Sequence, residues 1–193
     1  MHSNFLFNRI KNKGFTLIET IVGIVVLAVS LSVMTTLIYP VAEKSAEQLH
    51  QIKAAELAQS MLNEIQNKAF DQNSDMAGGL IRCGESSVVC SSLMGPEDGI
   101  DGRPDNNEDS RNLFNDVDDY HDLIYDTGKI ENSQGKVLNL YTGYVMKITV
   151  CNDSDYDGDC LTNSNNTTAK LITIIVTTPT GFDVVFATYR VNF

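Results

Sequence analysis

From Thr20 to Ala42 the chain runs 23 residues without a charge, and Glu19 is the sole charged side chain between Phe15 and Ala42. A helix needs roughly 20 apolar residues to cross a membrane, so this run predicts a spanning segment. The pattern then changes. Leu49, Ile52, Ala55, Ala58, Leu62, Ile65 and Ala69 recur at steps of three and four, with Lys53, Gln59, Asn63 and Gln66 between them. That spacing predicts an amphipathic helix over 43–70 with one apolar face. Together the two patterns predict one helix from Phe15 to Phe70, about 56 residues and about 84 Å long. Pro40 lies inside it and is expected to kink or loosen it, because proline lacks the amide that bonds to the preceding turn.

After Phe70 the periodicity stops. Residues 71–135 are rich in Gly, Ser, Asn and Asp and read as a long irregular connection, which a compact domain has to fasten down. Val137 to Val150 turns to β-branched and aromatic residues, with Tyr144, Met146, Ile148 and Val150 alternating on one face of a strand. Leu171–Thr177 and Phe182–Val191 are two more strands, and Thr178-Pro179-Thr180-Gly181 between them reads as the turn of an antiparallel hairpin. The fold class expected is α+β: a small antiparallel sheet over 136–193 packed on the amphipathic helix, two layers around one core.

Charge narrows the function. The formal net charge is -11, and residues 1–14 carry Arg9, Lys11 and Lys13 with no acid, so the remainder is more acidic still. A body of that charge repels phosphate backbones, which argues against a nucleic-acid partner. Basic residues just before an apolar run stay on the cytoplasmic side, which places the rest across the membrane. A cleaved secretory signal fits poorly, since its apolar region is about 7–15 residues long and ends at small residues. No enzyme is signalled either. His2 precedes the apolar run, His50 lies on the helix and His121 stands among acids, so no nucleophile and base are paired.

The junction Lys13-Gly14-Phe15-Thr16-Leu17-Ile18-Glu19 resembles the prepilin recognition sequence of the type IV pilin family. The resemblance implies that residues 1–14 are a leader, that a membrane-bound prepilin peptidase cuts between Gly14 and Phe15, and that the new terminal Phe15 is N-methylated. It implies a pilin fold, with 15–42 as membrane and filament-core helix and 43–193 as a periplasmic head. Partners would be major and minor pilins and the inner-membrane assembly machinery, and the location the inner membrane before assembly and the pilus afterwards. For Glu19 it implies an assembly role, in which the carboxylate meets the terminal amine of a neighbouring subunit and sets axial register. A charge at that depth is costly without a partner; the bland alternative is a glutamate reaching back to the interface. Many pilins carry a proline at the position held here by Thr36, a departure that bears on helix geometry.

Ala55–Ile65, Lys68-Ala69-Phe70-Asp71, Gly78-Gly79, Arg82-Cys83 and Phe114–His121 are similar to the minor pilins of mannose-sensitive haemagglutinin (MSHA) pili. That similarity implies a subunit that helps start or cap a pilus used in surface attachment. The last 33 residues after Cys160 contain no cysteine, unlike the C-terminal ends of many major subunits. Two other readings share the same N-terminus: a pseudopilin of a type II secretion system, and a pilin-borne adhesin that depends on calcium.

The four cysteines fall as Cys83 with Cys90 and Cys151 with Cys160. Three disulfide connectivities exist, and short loops favour the two local pairs. Zinc is the rival, but the spacings lack the tight pairs and paired histidines of zinc sites. Asp153-Ser154-Asp155-Tyr156-Asp157-Gly158-Asp159 resembles the start of a calcium loop, with Asp153, Asp155, Asp157 and Asp159 as ligands. The twelfth place is Ser164 rather than glutamate, so the match is partial and a solvated acidic tip is the alternative. No cofactor other than calcium is suggested. A second stretch, Glu97 to Asp126, has eleven acids against Arg103 and Arg111. Phe114, Val117, Tyr120, Leu123 and Ile124 are interleaved there, so the stretch is expected to be an anchored structural loop, with a partner-facing surface as the alternative.

Overall fold

A computed structural model describes residues 14–76, 79–100, 102–160 and 165–193; the leader before Gly14 and the Ser164 position lie outside the described residues. The chain divides after Ala46 into two units. A single helix, α1, covers Leu17–Gln66, and its helical assignment is continuous through Pro40.

In the first unit, α1 is long and apolar enough to cross a membrane. Every large apolar side chain described from Phe15 to Val41 is more than half exposed. A helix that is apolar all round and has no protein packed on it suits lipid or a bundle of other helices.

The second unit is built on a four-stranded antiparallel sheet in sequence order: β1 (Ile124–Tyr125), β2 (Val145–Asn152), β3 (Ala169–Thr177) and β4 (Asp183–Val191). The alternation read from the sequence holds, because Tyr144, Met146, Ile148 and Val150 are all buried. Register places Ile148 beside Ile174 and Phe186, and Met146 beside Val176 and Val184, so the three long strands share one apolar face. The β3–β4 link is a tight turn: Gly181 donates to the Thr178 carbonyl at 2.9 Å, with a φ of 83° that glycine adopts without strain. This is the expected α+β class.

Three details differ from the sequence expectation. The buried face of α1 is Ala54, Leu57, Ala58, Met61, Leu62 and Ile65, while Leu49 and Ile52 are more than half exposed. At about 100° per residue, the run of three-residue steps from Leu49 to Ala58 precesses by about 180°, so its two ends lie on opposite faces. Secondly, α1 stops at Gln66 rather than Phe70. Its last turn tightens, and Ala69 bridges to Asp116, donating to the Asn115 carbonyl at 3.2 Å and accepting from the Val117 amide at 3.1 Å. Thirdly, residues 137–144 are not strand; a 3-10 turn at Asn139–Tyr141 occupies them before β2 begins.

The expected irregular connection enters the core. Phe114, Val117, Tyr120, Tyr125 and Ile130 are buried against α1 and the sheet. Leu123 is packed at the margin, and Ile124 is exposed because β1 alternates and turns Tyr125 inward. A fork of bonds ties this segment to the helix. Arg111 holds both carboxylate oxygens of Glu64, Nε to Oε1 at 2.8 Å and Nη2 to Oε2 at 2.5 Å, and Tyr120 donates its hydroxyl to the same Oε1 at 2.8 Å. Burial alone would raise the Glu64 carboxyl, but the bond and field of Arg111 outweigh it and hold the group below its ordinary value.

Removing Glu64 strands a buried guanidinium. Glu64→Ala is expected to lower the free energy of unfolding by about 3 kcal/mol, read by urea denaturation of the detergent-solubilised chain at neutral pH. The Glu64 contribution is present in full above its ordinary value of 4.5 and is lost as pH falls through the lower folded-state value, so wild type and variant should converge in acid.

Candidate functional site

The N-terminal candidates come first in the chain. Gly14, Phe15 and Thr16 precede the helix, so the Gly14–Phe15 bond lies in non-helical backbone. Thr16 and Glu19 then form a reciprocal pair: the Glu19 amide donates to Thr16 Oγ1 at 3.3 Å, and the Thr16 amide donates to Glu19 Oε2 at 3.5 Å. This is a capping box, which satisfies two amides that a helix start otherwise leaves unbonded. Its signature, Thr-x-x-Glu ahead of an apolar run, stands at 16–19 in the sequence, inside the junction that resembles the prepilin motif. Glu19 therefore has a local structural task, apart from any role in assembly.

The cysteines form two disulfides, Cys83–Cys90 and Cys151–Cys160, and none is free, so no thiolate remains for zinc. Cys83 and Cys90 pack beside Phe70 in a small satellite core. Asn192 donates its amide to the carbonyls of Cys83 and Thr167, both at 2.9 Å, which fastens the C-terminal end without a disulfide of its own.

The run at 153–159 brings part of its ligand set together. One carboxylate oxygen from each of Asp153, Asp155 and Asp157 lies within 4.8 Å of the others, Asp153 buried and the other two exposed. Asp153 Oδ2 accepts from the Gly158 amide at 2.9 Å and from the Tyr189 hydroxyl at 2.7 Å, while Oδ1 has no hydrogen-bond partner. Asp159 is half-buried and donates its amide to Asp157 Oδ1 at 2.8 Å. Burial raises the Asp153 carboxyl, but the Tyr189 and Gly158 bonds more than offset it and the group lies low; Asp155, desolvated and hydrogen-bonded to Asp153, lies high.

A larger cluster lies in the second acidic stretch, where sequence reading foresaw a structural loop. Six acids there and just after α1 are buried: Asp71, Glu97, Glu108, Asp116, Asp118 and Asp119. Lys170, on the core face of β3 and 1 % exposed, is one cation that meets them. Its ammonium donates to the Phe70 carbonyl at 2.7 Å and to Asp118 Oδ1, lies 3.5 Å from Asp71 Oδ2, and sits over the Phe70 ring. Asp71 in turn accepts the amides of Asn73 and Ser91. These groups are satisfied. Glu97, Asp116 and Asp119 are less so: burial, and the negative charge of their neighbours, push Asp116 up to about 10, Glu97 to about 8 and Asp119 to about 7. The sequence did hold a signal for this burial in the aromatic and aliphatic residues threaded among the acids. His121 Nδ1 accepts from the Val150 amide at 3.4 Å and Nε2 lies 3.4 Å from Asp122.

Compared with known families, residues 9–35 match the prokaryotic N-terminal methylation motif. The match supports a type IV pilin-like or pseudopilin protein, processed by a prepilin peptidase and assembled with other pilins at the membrane. That family is structural rather than catalytic. No curated protein and no solved structure gives a significant match to the chain.

Lys170 is the counterion of two buried carboxylates, so Lys170→Met should cost more than about 3 kcal/mol by stranding Asp71 and Asp118. The readout is the thermal midpoint; a midpoint unchanged from wild type would mean that the ion cluster contributes nothing net.

Proposed function

We propose that this chain is a minor pilin of an MSHA-type type IV pilus, acting in pilus assembly and surface attachment. The observation that carries the pilin-like part of this reading is the methylation motif matched over 9–35, which runs into an exposed apolar helix; the MSHA part rests on the resemblance at 55–71, 78–83 and 114–121. A cut that precedes the apolar run leaves the helix on the product, where it serves first as membrane anchor and then as packing surface inside a filament. The leader is 1–14, cleavage falls between Gly14 and Phe15, and Phe15 carries the N-methyl group. The helix over 15–42 is the membrane and filament-core part, and 43–193 is a periplasmic head. No chemistry on a substrate is asked of that head; its partners are other pilins, the prepilin peptidase and the inner-membrane assembly machinery.

Deletion of the gene in its host, with surface pili and secreted proteins quantified side by side, tests the subfamily. Loss of pili with normal secretion is expected. Loss of a secreted protein with pili intact would make the chain a pseudopilin instead.

Glu19 can be tested apart from its capping task. Glutamine also serves at the third position of a capping box, so Glu19→Gln keeps the cap and removes the charge, whereas Glu19→Ala removes both. If charge pairing sets register, incorporation into filaments falls at least about tenfold in both variants. Normal incorporation of Glu19→Gln beside a defective Glu19→Ala would assign the residue to helix capping alone.

A further inference from the structure

Glu97, Asp116 and Asp119 are 3 %, 0 % and 1 % exposed, and one carboxylate oxygen of each lies within 4.8 Å of one from each of the others. Backbone bonds explain half of each aspartate. Asp116 Oδ1 accepts the amides of Asp118 at 2.9 Å and Asp119 at 3.3 Å, and Asp119 Oδ2 accepts those of Asn115 at 2.7 Å and Asp116 at 3.0 Å. The opposite oxygens, Asp116 Oδ2 and Asp119 Oδ1, have no hydrogen-bond partner, and neither has Glu97 Oε2. Glu108 stands beside them and adds a fourth buried carboxylate, its Oε2 accepting the Glu97 amide at 2.9 Å and its Oε1 bonded to the Asn115 side chain.

Three buried carboxylate oxygens without a donor are an unusual thing to leave in a core, because a buried polar group that gives up its bonds to water has to find others. Protonation is the other way to relieve the charge, with Glu97 bonded to Glu108 and Asp116 to Asp118 as acid pairs, and the ion-free protein is expected to adopt it. A hard cation suits all three carboxylates together, since they lie close enough to share it. We propose that Glu97, Asp116 and Asp119 hold one divalent cation, calcium by its preference for several carboxylate oxygens in flexible geometry, with Glu108 supplying further negative charge. The site differs from the partial calcium loop at 153–159, and it does not depend on the chain being a pilin.

The ion would do structural work. Glu97 and Asp119 lie on opposite arms of the acidic stretch, and Asp116 bridges to Ala69 at the end of α1. One cation would therefore close the stretch on itself and pin it to the helix end, in a segment that also supplies Phe114, Val117 and Tyr120 to the core.

The test uses the full-length chain in detergent, stripped with chelator and titrated with calcium chloride, with heat of binding and thermal midpoint as readouts. Saturating calcium should raise the midpoint by about 5–10 °C. Glu97→Gln should abolish that rise, and without calcium it should melt at or above wild type, because a neutral amide relieves the repulsion among the buried acids. Asp155→Asn with Asp157→Asn, made on the exposed run, should keep the rise and one bound calcium. That double variant keeps the proposal testable even if Glu97→Gln does not fold. No calcium response in wild type overturns the proposal, as does loss of all binding in the double variant or an undiminished response in Glu97→Gln.

Discussion

The head closes on the ammonium of Lys170. It stands on the core face of β3 in line with Ile172, Ile174 and Val176, where an alternating strand would place one more aliphatic residue. Its contacts reach two separate parts of the chain: the Phe70 carbonyl and Asp71 just beyond α1, and Asp118 in the acidic stretch. A buried ion pair is a weak source of net stability, but breaking it leaves a charge stranded in the core, so the segments that supply it are held together. The arrangement chosen draws an acid-rich segment into the core, and the burial of Phe114, Val117 and Tyr120 follows from it.

What the sequence disclosed depended on how local the signal was. The charge-free run and the alternation from Tyr144 to Val150 are periodicities of single elements, and both survive folding. The apolar face of α1 was half legible, because several small and apolar residues crowd that part of the helix and only the extent of the sheet decides which arc is covered. Leu49 lost to Leu57 and Met61 on that ground. The end of α1 was set by a distant segment, Asn115 to Val117, which takes up the backbone of Ala69.

The acidic stretch shows the same limit at the level of charge. Eleven acids against two arginines look solvated when read in order. Five of them are buried, and the stretch is held by partners far along the chain on either side: Lys170 meets Asp118, and Glu64 holds Arg111. In contrast, the methylation motif is legible because it is a pattern in linear sequence, and the capping box within it is equally local.

The separations in the head also set the order in which it can form. His50 meets Tyr144 across 94 residues, and Lys170 meets Phe70 across 100. During synthesis the apolar face of α1 must therefore wait, unpartnered, until nearly the whole chain has emerged. Loop closure over such distances is slow, and folds dominated by it collapse late and cooperatively. The last strand, β4, covers one side of β3, and Asn192 beyond it reaches back to Cys83. The head is thus a clasp that shuts from its C-terminal end, and a chain interrupted before that end would keep a fully exposed apolar surface beside an unfastened acidic loop.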